Sequence, residues 1–157
     1  VYEGTRPLLL EVQALTSPAN VGFARRSAIG VDISRLQMIL AVLDRKAGIS
    51  LVDQDVYINI VGGFKPDGTS TDLAVALAIY STARRVPCKG KTIAVGEIGL
   101  TGDLRSIIKA DRIVREADRM GFERIILPSK NSERIAAPKN GIKLIGVKSL
   151  SDAISVI

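Results

Sequence analysis

Between a start near Ser70 or Thr71 and an end at about Arg85 the chain reads as a helix with no polar face: Leu73, Ala74, Val75, Ala76, Leu77, Ala78 and Ile79 cover every side. Such a helix has to be covered all round, so it predicts a central position between layers. The flanking segments have the patterns to supply them. Leu8 to Leu15 and Val56 to Val61 read as strands, rich in Leu, Val and Ile and bounded by Pro or Gly-Gly, with a weaker strand from Ala24 to Val31. From Asp32, a capping residue, Ile33, Leu36, Leu40 and Leu43 recur at helical spacing as far as Gly48, a stop signal.

The C-terminal half alternates in the same way. A strand from Thr92 to Val95 leads into a short hairpin marked by Gly96, Gly99 and Gly102. Lys109 to Met120 reads as an amphipathic helix with Ile113, Ala117 and Met120 inward, and Arg124 to Leu127 as a strand stopped by Pro128. A short helix, a strand from Lys143 to Val147 and a helix from Asp152 follow. Strands alternating with helices predict an α/β layered fold. Without a repeat, low-complexity tract or linker, residues 1–157 read as a single domain, and that length can bury roughly 70% of the surface an unfolded chain exposes. The chain begins at Val1 and not at Met, so it is expected to be a piece excised from a longer protein.

Composition removes much chemistry. The chain has no His, so it can build neither a Ser-His-Asp or Cys-His relay nor a His-ligated zinc site. A single cysteine, Cys88, cannot form an internal disulfide, which fits a reducing compartment and an expected cytoplasmic location. No apolar run reaches the ~18–20 residues of a membrane span, and nothing at the N-terminus reads as a signal peptide. The net charge of +6 makes an anionic partner worth testing, and its placement says more than its sum. No acid lies between Asp72 and Glu97, a window holding Arg84, Arg85, Lys89 and Lys91. A second acid-free stretch, Val12 to Val31, holds Arg25 and Arg26. These six are the candidate contacts for nucleic-acid phosphates, with a solvated basic surface as the alternative. Three Tyr and three Phe are too few and scattered for a base-stacking platform, so phosphate contact is the expected mode.

Two local motifs suggest chemistry. Gly90-Lys91-Thr92 imitates the end of a phosphate loop, but Arg85 stands where the pattern needs its first glycine, and the tripeptide leads into a strand; no ATP site is expected here. Gly62-Gly63 and Pro66-Asp67-Gly68-Thr69-Ser70 deliver a serine to the start of the apolar helix. There Ser70 is either a nucleophile beside backbone N–H groups or, with Thr71, simply a helix cap. Without histidine, an active serine would need a lysine kept neutral by burial.

The run Gly62 to Ala76 and the segment Gly96-Glu97-Ile98-Gly99-Leu100-Thr101-Gly102 resemble the proteolytic domain of Lon peptidases. That resemblance implies a Lon-protease-like (ribosomal-protein-domain-2-like) fold, with Ser70 at the nucleophile position and Asp111 where the partner lysine belongs. Asp111 carries the opposite charge, and Lys109, two residues along a helix, points about 200° away. Glu3-Gly4-Thr5-Arg6-Pro7 through Leu15, Ala24-Arg25-Arg26 before Gly30-Val31-Asp32, and Asp72-Leu73-Ala74-Val75-Ala76 narrow the resemblance. They are similar to the C-terminal Lon-like domain of the RadA (Sms) family of bacterial, RecA-like, DNA-dependent ATPases. The implied role is branch migration of recombination intermediates in DNA repair. For this chain the resemblance implies a pseudo-peptidase with vestigial Ser70 and Asp111, which supports a homohexameric ring and contacts single-stranded or branched DNA. It implies no cofactor here; ATP, Mg and Zn belong with an absent RecA-like ATPase and zinc finger. RecA recombinase is an implied partner of the longer protein. An active Ser/Lys peptidase and a purely structural oligomerisation module are the alternatives.

Overall fold

The computed structural model describes residues 2–3, 6–20, 22–61 and 68–157. A short antiparallel hairpin, β1 (Tyr2–Glu3) and β2 (Arg6–Pro7), comes first. β3 (Val12–Pro18), β4 (Arg26–Ile29), helix α1 (Ile33–Ala47) and β5 (Gln54–Ile60) build a three-stranded sheet in the order β3-β5-β4. β5 runs antiparallel to β3, from Val12↔Ile60 to Pro18↔Gln54, and parallel to β4, so α1 is the crossover that a parallel pair requires. Helix α2 (Asp72–Arg84) leads to β6 (Thr92–Ala94) and the hairpin of β7 (Glu97–Ile98) and β8 (Leu104–Arg105). Then come α3 (Ala110–Arg119), β9 (Arg124–Pro128), the single turn α4 (Ser129–Ser132), β10 (Lys143–Val147) and α5 (Leu150–Ser155). β6, β9 and β10 form a second, all-parallel sheet in the order β10-β9-β6. The fold is mixed α/β, with parallel and antiparallel pairing.

β9 shows why the layers stack as they do. Ile125 and Leu127 share a core with Val95, Ile113, Val114, Ala117 and Ile142, while Ile126 between them joins α1, α2 and α5 on the opposite face. All three are fully buried, as strands of an all-parallel sheet covered on both faces should be. The first sheet is one-sided: Val56, Ile58 and Ile60 face the core, and Leu15, Ile29 and Tyr57 face outward. α2 lies between these layers, against α1, β3, β6, β7 and α5, which is the central position its apolar surface demands.

Several boundaries move. The first long strand is Val12–Pro18, not Leu8 to Leu15; Leu8, Leu9 and Leu10 run outside any strand, and Leu9 packs on the second core. α1 is capped as expected, Asp32 accepting from the Arg35 N–H and Gly48 turning left-handed at φ 67. Its buried face is Leu36, Ile39, Val42 and Leu43, with Leu40 half-buried and Ile33 exposed. In α3, Met120 is 51% exposed and Val114 takes its inward place, because the helix ends at Arg119. α5 starts earlier than Asp152, since the Ser149 hydroxyl accepts the Asp152 N–H. Among the described residues no helix is long and apolar enough to cross a membrane.

Candidate functional site

Ser70 and Asp111 are not brought together. Ser70 precedes α2, its carbonyl accepting the Gly96 N–H at 2.9 Å. It lines a small cavity of about 50 Å³ with Leu8, Leu9, Leu10, Ala74, Ile93 and Ile113, and no ionisable side chain among the described residues lines that cavity. Asp111 lies on the exposed side of α3, paired with Arg115 at 3.1 Å, and lines a different groove with Ile135 and Pro138. Thr71 holds the N-cap position of α2, and its side chain makes no capping hydrogen bond among the described residues. Part of the glycine-rich run that suggested the serine site, residues 62–67, lies outside the described residues.

What orders the start of α2 is a polar network that the sequence reading did not single out. Asp72 is 2% exposed and takes a bidentate contact from Arg35, whose Nε lies 3.0 Å from Oδ1 and whose Nη2 bonds Oδ2. Asp72 Oδ2 also accepts the Ile98 N–H at 3.0 Å, and Arg35 Nη2 donates to the Ile98 carbonyl at 3.2 Å. The Asp72 bonds raise the Arg35 pKa above its ordinary value, against the opposing effect of burial. Next to this pair, the Thr69 hydroxyl donates to Glu97 at 2.6 Å, and Arg105 faces Glu97 at 3.6 Å. The one legible signal was a charged residue, Asp72, opening a helix otherwise apolar all round. A charge there must be paired to be buried.

The six basic candidates fall into separate groups. Arg84 and Arg85, both exposed, line a groove of about 540 Å³ with Thr16, Ser50, Gln54 and Thr82; among the described residues no carboxylate lines it. Arg84 Nη2 donates to the Gly48 carbonyl at 3.2 Å. Arg85 closes α2 at φ 54, a left-handed conformation that favours glycine. Arg26 is a clamp: half-buried, it donates to the carbonyls of Leu51 at 2.6 Å, Gln54 and Arg25. It thereby fixes the segment that forms one wall of the same groove. Arg25 is exposed, its backbone N–H held by Asp55 Oδ1 at 2.7 Å.

Lys89 and Lys91 are exposed but do not line the groove. The Lys91 carbonyl accepts the N–H groups of Glu123 and Arg124, and a Cβ at Gly90 would collide with the Glu123 carboxylate. A window free of acid along the chain is therefore not free of acid in space. Gly90-Lys91-Thr92 enters β6 as expected, the Thr92 hydroxyl donating to the Lys89 carbonyl at 2.5 Å. One aromatic escaped the composition argument. Phe23, on a bend two residues before Arg25, is 98% exposed.

Known proteins resemble this chain along almost its whole length. It is 44% identical to the DNA repair protein RadA of Escherichia coli over 99% of this chain and 34% of that protein. To the DNA repair protein RadA of Halalkalibacterium halodurans it is 42% identical, over 98% of this chain and 34% of the relative. The corresponding figures for Bacillus subtilis RadA are 41%, 97% and 33%. The chain thus spans about a third of the length of the curated relatives it matches. Residues 18–131 match the family described as "Subunit ChlI of Mg-chelatase". With well over half of its 157 residues matched, the chain belongs to that ChlI family and is a homologue of the proteins named RadA.

Proposed function

We propose that this chain is the Lon-like, non-proteolytic domain of a RadA-type DNA repair protein, and that it contacts DNA phosphates through the groove at the end of α2. The observation that carries the reading is that groove. Two exposed arginines, Arg84 and Arg85, stand there among hydroxyl and amide groups, with no carboxylate among the described lining residues. Exposed Arg25 precedes the Arg26 clamp, which holds the wall in place through the Leu51 and Gln54 carbonyls. Lys89 and Lys91 belong to a second, weaker patch tempered by Glu123. The names of the relatives support the repair role. In the longer protein the domain supports a homohexameric ring around a DNA-dependent ATPase that migrates branched recombination intermediates in the cytoplasm, together with RecA recombinase. ATP, Mg and Zn belong to the parts of that protein outside this chain. Catalysis by Ser70 is not part of the proposal, because no base lines its cavity among the described residues.

The test is a titration of this chain with single-stranded and branched DNA across salt concentrations, beside the Arg84→Ala/Arg85→Ala variant. Log affinity falls with log salt by about 0.7 per phosphate contact on single strands and 0.9 on duplex. The double variant should bind more weakly and with a slope flatter by up to about 1.4 on single strands. No Ser70-dependent cleavage of an unfolded protein should be seen. Unchanged affinity and slope in a folded double variant would leave a structural oligomerisation module. The bare sheet face of Leu15, Ile29 and Tyr57 speaks for that second reading.

A further inference from the structure

Phe23 is 98% exposed in a chain whose other large side chains are mostly packed. An exposed phenyl ring has no partner for its apolar surface, and its surroundings decide which kind of partner fits. Gly22, at φ +79 with open space around it, makes the bend that lifts the ring away from the body. The segment after the ring is fixed: Arg25 is held through its backbone N–H by Asp55, and Arg26 is bonded to the carbonyls of Leu51 and Gln54. Further back, the Ala19 N–H donates to the Asp53 carbonyl at 2.9 Å. The ring is therefore an exposed projection two residues before an exposed arginine. The link to the Arg84–Arg85 groove runs through Arg26, which bonds the carbonyls of Leu51 and Gln54, two residues that line it.

The geometry points to Phe23 as a stacking residue for an unpaired base of a DNA single strand whose phosphates lie along Arg25, Arg84 and Arg85. This rests on the DNA-contact reading above and adds to it a mode of base contact. A protein partner fits less well. An apolar anchor at a protein interface is ringed by contacts that exclude water, whereas Phe23 is flanked by exposed Gly22 and Arg25. An aromatic face next to an arginine is the combination that single-stranded nucleic acid takes, the base on the ring and the phosphate on the guanidinium. Every base has a π-face, so the contact carries little sequence preference. It does prefer unpaired over paired bases.

The chain contains no tryptophan, so Phe23→Trp introduces a single indole whose fluorescence reports directly on stacking. At this exposure neither Phe23→Trp nor Phe23→Ala removes packing. The probes are an oligothymidine, an abasic oligonucleotide of equal length with the same phosphates, and a duplex. Phe23→Ala should weaken oligothymidine binding by between about five-fold and a hundred-fold, leave abasic binding unchanged and leave the salt slope unchanged. The indole of Phe23→Trp should be quenched by oligothymidine and not by the abasic strand or the duplex. If the unsubstituted chain binds DNA but Phe23→Ala binds equally well and the indole is not quenched, the stacking role is wrong and the phosphate groove stands. If the unsubstituted chain binds none of the probes, the DNA-contact reading itself fails and takes the stacking role with it. A loss of self-association in Phe23→Ala without any change in DNA affinity assigns the ring to a contact between copies and overturns the inference.

Discussion

Arg85 ends α2 at φ 54 and ψ 41, with its N–H donating to the Ser81 carbonyl. For an L-residue this left-handed region costs about 1–2 kcal/mol. Glycine escapes that cost but has a freer unfolded chain, which removes roughly 0.5–1 kcal/mol of the gain. The Arg85 side chain is exposed, so Arg85→Gly should stabilise the fold by about 0.5–1 kcal/mol. In a domain of this size that is a rise in Tm of about 1–4 °C. Arg85→Ala removes the same charge but keeps the strained backbone, and should stay within about 0.5 kcal/mol of the unsubstituted chain. Both variants lose one phosphate contact, so each should bind single-stranded DNA more weakly, with a salt slope flatter by about 0.7. Calorimetric melting of the three proteins, beside DNA titrations at several salt concentrations, separates the two effects. The expected pattern is a glycine variant that is more stable and binds worse. If the glycine and alanine variants melt together, the strain argument is wrong. If the glycine variant melts higher and binds DNA as before, Arg85 has no part in the contact.

Two other expectations follow from the polar network. Arg35→Met leaves Asp72 buried without its arginine partner and should cost about 3–5 kcal/mol; Arg35→Met/Asp72→Asn should recover part of that in denaturant melts, whereas equal losses in the single and double variants would mean that the stranded Asp72 charge is not what costs the stability. On the hairpin, the Thr101 hydroxyl 2.7 Å from Asp103 Oδ1, with the Asp103 backbone and Arg105 in support, holds the Asp103 carboxyl below its ordinary value. A lowered folded pKa gives stability that is present above the unfolded value near 3.9 and is lost as pH falls through the folded value. Thr101→Val should therefore be less stable than the unsubstituted chain at neutral pH, with the gap closing as pH falls from 5 to 2; a constant gap would assign the loss to something other than this carboxyl.

Much of the architecture was legible because it is written in side-chain periodicity. Asp32 and Gly48 bracket α1 as their chemistry requires, and Lys143 to Val147 is β10 residue for residue. Errors lie where tertiary contact overrides local pattern. Leu8, Leu9 and Leu10 carry strand-forming side chains, yet Leu9 packs into the second core and the segment forms no strand. The site was less legible for a related reason. Charge read along the chain grouped Lys89 and Lys91 with Arg84 and Arg85, but only the two arginines line the groove, and the backbone between the lysines runs against Glu123. Arg26 read as a surface cation, although its donors are engaged by carbonyls some 25 residues away along the chain. Phe23 was discounted because aromatics are few, and only the folded chain shows that this one has nothing over it.

The central placement of α2 bears on how the chain reaches its fold during synthesis. α1 and β3 are complete before α2 emerges from the ribosome, but β6, β7 and α5 come after it. Until Ile126 and then Leu150 and Ala153 arrive, one flank of an apolar helix has nothing to cover it. Closing that flank depends on parallel strands joined through crossovers, which are slow to form because their contacts are distant in the chain. A nascent or C-terminally clipped chain therefore presents a sticky surface for as long as α5 is missing, and self-association competes with folding during that interval. The short helix α5 is thus part of the cover that the apolar surface of α2 requires, through Leu150 and Ala153.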